Sequence, residues 1–449
     1  MVNRITGTSS IAPTQSSVLE EDSTLKSTNT RSTIAMPIST MGLALAKEQY
    51  RSNKSQQPRP SVLILTGGTG NGHRCPAQAI KQAFDNKKSG LVDYHYYDIK
   101  MDAINRDWKH DVKFKLTDRF GVLNSITHKQ NNSKRQWLRD KIMQSLVDST
   151  PDAIYVNHYD ISHQLGKVMR NMELDTNVII ASADHGAIHA DWYPKTLTIK
   201  QSKHLFLVPD LNQTEKSVKS DATADALKRG VPAERIRFEG YPVRHEFIEA
   251  ASKSRNECRS ELSINLPEGK SKILLGMVGS GHWVKSFGDL IIEARKSKLL
   301  EDTHIIIIAG GSADLKRTLV DELGDTIDVR GTCEAREVAL LMRSADVVAT
   351  KAGGSSLHEC NAVQTPALIY MALSGVESEN AKHAVEQGTG VLATDPKKFA
   401  AVASGLLGDA EKRKQIEREQ LKHYDSKSSY KIAGLLESQA IEAFKDWAG

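Results

Sequence analysis

Short apolar runs alternate with stretches of helical spacing along most of the chain. Between Ser61 and about Phe247 the runs are SVLIL, VDYHYYDI, DAIYVNHYD, NVIIASADH, HLFLVPD and IRFEGYPV. A second series follows Asn265 and reads SKILLGMVG, THIIIIAGG, ADVVATKAGG, PALIYMA and GVLAT. Runs this short and apolar are typical of parallel strands that helices cover on both faces. The pattern predicts an α/β fold with two doubly wound, Rossmann-like domains facing a central cleft.

The limits of these two series predict the domain boundaries. Residues 1–60 are rich in Ser and Thr and poor in aromatic residues, which predicts a disordered tail. An organelle-targeting peptide is the alternative for this tail, although the acidic stretch at residues 20–22 is unusual in one. The first domain is expected to span residues 61–250 and the second residues 265–426.

The loop TGGTGNG joins the first predicted strand to a helix, and its glycines let the backbone approach a bound group closely. It lacks the GK[ST] ending of a P-loop, and it reads G-x-G-x-G where a dinucleotide fold has G-x-G-x-x-G. Asp98, at the end of the next strand, resembles the acidic ribose ligand of that fold. His73 is expected at the helix N-terminus, with Pro76 in the first turn. A tight turn with a solvated His73 is the alternative for this loop taken alone.

A second loop, in TKAGGSSLHE, combines glycines, hydroxyls and a helix start. Residues 353–356 follow a predicted strand, so backbone amides and the positive helix end converge there in a way that suits a diphosphate. Glu359, in the first helical turns, can accept hydrogen bonds from the two hydroxyls of a ribose. Glu377 and Asn380 follow the next strand, where they can bind sugar hydroxyls. A helix-dipole carboxylate and a solvated loop are the alternatives for these side chains.

The net charge and the spacing of the histidines narrow the kinds of partner that the protein is expected to bind. The net charge of +5 is too small to indicate nucleic acid, although it permits contact with an anionic surface. Between Asp98 and Pro151 basic residues are interleaved with aromatic ones, which suits an anionic membrane, and a helical insertion packed on its own domain is the alternative. His185 and His189 are four apart, as in a zinc-binding helix, but the glutamate of HExxH is missing, so no metal is expected.

The lengths of the apolar runs and the spacing of the cysteines bear on membrane insertion and on the redox compartment. No apolar run approaches the roughly 20 residues that span a bilayer. The four cysteines lie far apart with no CxxC pair, so neither a disulfide framework nor a zinc site is predicted, and a reducing compartment is expected.

Four segments together carry a family resemblance. They are GGTGNGHRCPAQAI, ADHGAIHADWYP, LKRGVPAERIRFEGYPVRHEF and the block from KAGGSSLHE to SENAKHAVEQGTGV, and they cover roughly Ser61 to the C-terminus. In order and spacing they resemble the monogalactosyldiacylglycerol synthase and processive diacylglycerol glucosyltransferase family. That family is related to the bacterial enzyme that adds N-acetylglucosamine to lipid I.

The resemblance implies a GT-B fold and an inverting, metal-independent transfer of a hexose from a UDP-sugar to a lipid such as diacylglycerol. It implies that the first domain binds the acceptor, the second binds the UDP-sugar, and a helix in residues 427–449 crosses back to the first. The expected partners are the UDP-sugar, the lipid acceptor and an anionic membrane surface, with no cofactor and no nucleic acid. A cytoplasmic protein peripherally associated with a membrane is the expected localisation.

The resemblance also implies roles for individual residues. His73 is expected to be the general base, and Asp184 to orient the acceptor or the base. The residues expected at the acceptor are Gly70, Gly72, Arg74, His189 and Trp192. The residues expected at the UDP-sugar are Gly279, Ser280, Gly281, Thr332, Gly353, Gly354, Ser355, Ser356, Glu359, Glu377 and Asn380.

The chain departs from the family at three places in the second domain. Gly375, Val376 and Glu377 stand where galactolipid synthases have Gly-Gln-Glu, so the sugar is left open. The loop GMVGSGHW replaces a run of glycines, and Thr332 replaces a Phe. A soluble aglycone as the acceptor, a UDP-sugar 2-epimerase, and an idle UDP-sugar-binding or membrane-docking protein are the alternative functions.

Overall fold

The computed structural model describes residues 40–68, 71–100, 132–186, 192, 203–211, 221–278, 283–372 and 376–448. Five of the predicted site residues lie outside these ranges: Gly70, His189, Gly279, Ser280 and Gly281. The expectations attached to them stay predictions.

The first half of the chain forms a six-stranded parallel sheet with the order β2-β1-β3-β4-β5-β6. Its strands are β1 (Ser61–Gly68), β2 (Asp93–Lys100), β3 (Ala153–Val156), β4 (Asn177–Ala181), β5 (Leu205–Leu207) and β6 (Ile236–Arg237). The helices up to its end are α1 (Thr40–Ser55), α2 (Asn71–Lys87), α3 (Asn132–Ser149), α4 (Tyr159–Met172) and α5 (Asp221–Lys228). Strands β5 and β6 are shorter than the apolar runs HLFLVPD and IRFEGYPV suggest.

The second half forms another six-stranded parallel sheet, with the order β12-β11-β10-β7-β8-β9. Its strands are β7 (Lys272–Met277), β8 (Thr303–Ile308), β9 (Ile327–Arg330), β10 (Val347–Lys351), β11 (Ala367–Met371) and β12 (Gly390–Leu392). Helices α6 (His245–Ala251) and α7 (Arg255–Glu261) precede it. The remaining helices are α8 (Trp283–Lys296), α9 (Ala313–Leu323), α10 (Ala335–Ser344), α11 (Gly354–Val363), α12 (Val376–Glu386), α13 (Pro396–Gly408), α14 (Ala410–Lys422) and α15 (Ser428–Ala448).

Strand β1 shows why the apolar runs have no polar alternation. Leu63 and Leu65 pack into the cluster on one face of the sheet, with α3 and α4. Val62 and Ile64 pack into the cluster on the other face, with α2 and α15. All four side chains are fully buried, and burial of each stabilises the fold by about 1.5–3 kcal/mol. A strand covered on both sides therefore needs apolar residues at consecutive positions.

Helix α15 lies on the first sheet although it follows the second in sequence. Its buried residues Ile432, Ala433, Leu436 and Ala440 belong to the cluster that contains β1 and α2. The chain therefore returns to its first half at its C-terminal end.

The expectation of disorder as far as residue 60 is wrong for residues 40–60. Helix α1 packs Tyr50 into the core of the first sheet. Lys54 Nζ lies 2.5 Å from Asp152 Oδ1, and both side chains are buried. The Asp152 carboxylate also accepts hydrogen bonds from Gln57 Nε2 and from the backbone N–H of Ser61. Compositional reasoning missed this helix because its stability comes from tertiary contacts rather than from its own apolar content.

Most of the predicted membrane-facing segment, residues 101–131, lies outside the described residues. In the part that follows, Trp137 on α3 packs against the core of the first sheet. Arg139 donates hydrogen bonds to Gln136 and Gln164 on the same domain. These contacts are those expected of a helical insertion packed on its own domain, the alternative to a membrane-facing segment. Within the described residues, no helix combines the length and the apolar character that a membrane span requires.

We expect Asp152→Ala to lower the free energy of unfolding by about 3–5 kcal/mol, because it leaves Lys54 buried and unpaired. Lys47→Ala is the matched control, since it breaks a salt bridge from the same helix to Glu173, whose side chain is 67% exposed. The control should cost less than about 1 kcal/mol. Urea unfolding of both variants checks this, and equal losses would contradict the role given to Asp152.

Candidate active site

The candidate active site lies where the carboxyl ends of β1, β3 and β4 meet the first turn of α11. His73 is the third residue of α2, as the sequence predicts for a helix N-terminus. Its backbone carbonyl accepts hydrogen bonds from Asn157 Nδ2, at 2.5 Å, and from Thr66 Oγ1, at 3.1 Å. Because Asn157 follows β3 and Thr66 lies on β1, the position of His73 is fixed by two neighbouring strands.

One ring nitrogen of the His73 side chain is buried. Its Nδ1 has no hydrogen-bond partner among the described residues. The ring packs edge-on against His158, with centroids 4.6 Å apart, and lies 6.1 Å from the ring of Trp192. Burial lowers the pKa of His73 below its usual value, and the charge of Asp184 partly opposes this shift. His158 is also held neutral, because burial and His73 lower its pKa well below the usual value.

Pro76 leaves the backbone carbonyl of Gly72, at the start of α2, without its usual helical hydrogen-bond donor. It is the sixth residue of the helix, not a first-turn residue as predicted, and it has no N–H to donate to Gly72. The Gly72 carbonyl instead accepts a hydrogen bond from Ser355 Oγ of α11, at 2.8 Å. Tyr241 Oη lies 2.7 Å from the same Ser355 hydroxyl and 3.5 Å from the Gly72 carbonyl. The two halves of the chain are thus joined at a position that the proline leaves unpaired.

Asp184 lies at the same junction, in the loop after β4. Its Oδ1 accepts a hydrogen bond of 2.8 Å from Asn380 Nδ2, and Asn380 Oδ1 accepts one of 2.9 Å from the backbone N–H of His185. Asn380 Nδ2 also lies 3.2 Å from the Ala352 carbonyl, and the residue is fully buried. The amide expected at the sugar is therefore occupied by protein partners and joins the two halves.

Glu359, expected at the ribose, is also paired within the protein. Arg244 Nη2 donates a hydrogen bond of 2.7 Å to Glu359 Oε1. Burial raises the pKa of Glu359, whereas the charge of Arg244 opposes this shift. The guanidinium of Arg244 in turn lies 4.9 Å from the centre of the Phe247 ring. Glu359 Oε1 is therefore already paired with Arg244.

The other predicted residues are less central. Arg74 pairs with Asp98 at 2.8 Å and donates a hydrogen bond to the Gly68 carbonyl. Both charged side chains therefore stabilise the glycine loop rather than bind a ribose. Glu377 pairs with Lys351 at 2.6 Å. The remaining positions are a half-buried Gly353 and Ser356 at the start of α11 and an exposed Thr332 just after β9.

Residues that sequence reasoning did not assign complete the site. Tyr241 and Arg244 lie in GYPVRHEF, between the two sheets, and the position of this segment at a domain junction was the available signal. Asn157 and His158 directly follow β3, and polar residues after a buried parallel strand are a sign of a site.

Comparisons with known proteins define the class. Residues 277–434 match the family model described as Glycosyltransferase family 28 C-terminal domain. This match identifies a glycosyltransferase domain in the second half of the chain, in agreement with the prediction.

The predicted resemblance is confirmed by curated relatives. Monogalactosyldiacylglycerol synthase 1, chloroplastic, of Arabidopsis thaliana is 25% identical over 394 residues, covering 84% of this chain and 70% of the relative. Processive diacylglycerol beta-glucosyltransferase of Bacillus licheniformis is 27% identical over 401 residues, covering 85% and 96%.

Solved structures confirm the GT-B fold. UDP-GlcNAc 2-epimerase from Neisseria meningitidis has a TM-score of 0.56 at 14% identity, covering 84% of this chain and 99% of that one. MurG from Acinetobacter baumannii has a TM-score of 0.52 at 13% identity, covering 85% and 100%. Likeness at these identities establishes the shared architecture of two facing sheets and nothing about the reaction.

Gly354 permits the close approach at the junction. A Cβ added there would lie 2.2 Å from the Ala183 carbonyl oxygen, whereas one added at Gly353 meets nothing nearer than Lys351 Cε, at 4.0 Å. We expect Gly354→Ser to cost about 1–3 kcal/mol of stability and to separate the two halves, because a backbone atom must move.

Gly353→Ser is the matched control and should be nearly neutral, since Gly353 has an ordinary negative φ and serine suits the start of a helix. Urea unfolding and small-angle X-ray scattering check both variants. Equal effects of the two substitutions would contradict the role given to Gly354 at the junction.

Proposed function

We propose that the protein is an inverting glycosyltransferase that moves a hexose from a UDP-sugar to diacylglycerol, without a metal ion in the transfer step. Two relatives support the acceptor, because their names specify diacylglycerol products or substrates. The observation that carries the reaction is the unpaired Nδ1 of His73, which lies in the same junction as the N-terminus of α11.

The reaction is a single displacement. The acceptor hydroxyl oxygen attacks C1 of the sugar while its proton moves to His73, a group whose lowered pKa keeps it neutral and able to accept a proton. The bond from C1 to the diphosphate breaks, and UDP leaves with the electron pair. Attack from the face opposite the leaving group inverts the anomeric carbon. Asp184 stabilises the imidazolium that forms.

The negative charge that develops on UDP requires stabilisation on the other side of the junction. The N-terminus of α11 offers free backbone amides and the hydroxyl of Ser355, with the positive end of the helix dipole behind them. These groups take the place that a divalent cation has in metal-dependent enzymes. Binding of the diphosphate there displaces Ser355 Oγ from the Gly72 carbonyl, so donor entry breaks this hydrogen bond between the two halves.

Transfer to diacylglycerol in anionic liposomes tests the proposal, with labelled UDP-galactose, UDP-glucose and UDP-N-acetylglucosamine supplied separately. We expect one donor to yield a glycolipid, and His73→Ala to lower the rate at least about 100-fold, as removal of a general base does. His304→Ala, a half-buried histidine on β8, is the control and should keep the wild-type rate.

Three results would contradict the proposal. Conversion of a UDP-sugar to its epimer without an acceptor would favour the 2-epimerase alternative. Transfer only to a soluble aglycone would refute the lipid acceptor. Loss of transfer in EDTA that Mg²⁺ or Mn²⁺ restores would refute a metal-independent step.

The pH profile gives an independent check on His73. Because burial lowers its pKa, the base stays neutral below the usual histidine value of about 6.5, and kcat/KM should fall only as the pH drops through the lowered pKa. Asp184 opposes that shift, whereas the neighbouring His158 is neutral. Asp184→Asn should therefore move the acid limb to still lower pH. An acid limb centred above about 6.5, or one that does not move in the variant, would argue against His73 as the base.

A further inference from the structure

His158, which the proposed reaction does not use, lies beside His73 and is held in a fixed orientation. It is the N-cap of α4, and its Nδ1 accepts a hydrogen bond of 3.2 Å from the backbone N–H of Asp160. The ring of Tyr159 stacks on it, with centroids 4.8 Å apart and planes 19° from parallel. Only 5% of the residue is exposed, so the cap and the stacking together set the direction of the ring.

The hydrogen bond at Nδ1 determines which nitrogen of His158 carries the hydrogen. A neutral imidazole has one N–H and one nitrogen lone pair, and the Asp160 amide occupies the lone pair on Nδ1. Burial and the neighbouring His73 lower the pKa of His158 well below its usual value, which favours the neutral form. The hydrogen of the neutral ring is therefore on Nε2, and His158 is a hydrogen-bond donor at that atom.

The Nε2 edge of His158 borders a space that Gly68 leaves open. A Cβ added at Gly68 would lie 3.5 Å from His158 Cδ2, 3.6 Å from His73 Cδ2 and 3.7 Å from His158 Nε2. These are ordinary van der Waals distances, so a heavy atom of a bound molecule fits there against both rings. Gly68 has a φ of +133°, a conformation that residues with a side chain rarely adopt. The glycine thus keeps this space between the proposed base and a donor of fixed direction.

We propose that His158 Nε2 donates a hydrogen bond to the ester carbonyl next to the attacking hydroxyl of the acceptor, and so selects acylated acceptors. The inference rests on the proposed function. The rings of His73 and His158 have centroids 4.6 Å apart, so a glycerol backbone can place its hydroxyl at one ring and the neighbouring carbonyl at the other. His158 is in this account a specificity-determining residue and not a second base.

The position of the two histidines favours the acceptor over the UDP-sugar as the molecule bound there. Both rings follow strands of the first sheet, whereas the helix N-terminus proposed for the diphosphate belongs to the second half of the chain. An ether-linked lipid has the same chains and hydroxyl but no carbonyl, so it leaves the buried donor unpaired. A buried donor without a partner weakens binding, and this is the basis of the selection.

The ratio of kcat/KM for a diacylglycerol and for its dialkyl ether analogue tests the inference. Both lipids are supplied in the same anionic liposomes, with the UDP-sugar that the wild type uses. We expect the ester lipid to be favoured about tenfold, the effect of one hydrogen bond to a buried donor. The difference should lie in KM rather than in kcat, because a contact away from the reacting bond binds substrate and transition state alike.

Two amide substitutions separate the donor from the helix cap. His158→Asn keeps a good N-cap side chain but has no group at the position of Nε2, so the ester preference should disappear while the Tm stays that of the wild type. His158→Gln places an amide nitrogen near the position of Nε2 and weakens the cap. It should keep the ester preference and have a lower Tm.

The outcomes distinguish this inference from the proposed function. Equal kcat/KM for the two lipids in the wild type, or an ester preference that survives in His158→Asn, would overturn the inference and leave the lipid transfer intact. A preference lost equally in both variants would mean that His158 acts through the helix cap, which also overturns it. No transfer to either lipid by the wild type would refute the proposed acceptor and this inference together.

Discussion

The contact between the start of α2 and the start of α11 is the constraint on which the site depends. Pro76 cannot donate to the Gly72 carbonyl, so that acceptor is satisfied by Ser355 from the other half of the chain. The approach is close because Gly354 has no side chain, and a Cβ there would meet the Ala183 carbonyl. A missing N–H on one side and a missing Cβ on the other thus bring the histidine and the helix N-terminus together.

Closure of this junction buries many polar groups, and the protein satisfies them by pairing across it. Asn380 joins Asp184 to the second sheet, and Arg244 neutralises Glu359. A buried charge or amide without a partner costs several kcal/mol, so each of these pairs is a requirement of the closed arrangement. The same pairs occupy the groups that the sequence assigns to the sugar nucleotide.

His73 shows how this burial serves chemistry. A solvent-exposed histidine is partly protonated near neutral pH, whereas burial against His158 and Trp192 favours the neutral ring. The charge of Asp184 partly opposes the lowering of the His73 pKa. His73 and Asp184 follow different strands of one parallel sheet, so the sheet places them at the same edge.

The sequence by itself determined what local patterns encode. The strands, the glycine loop before His73 and the helix start at Gly354 follow from apolar runs and turn residues within a few positions of one another. Composition misjudged α1, because Tyr50 and Lys54 are held by distant partners. Only the tertiary structure paired Ser355 with Gly72, 283 residues away, and His185 with His358, 173 residues away. Such contacts depend on how two sheets pack, and no periodicity in the chain records which side chains meet across that packing.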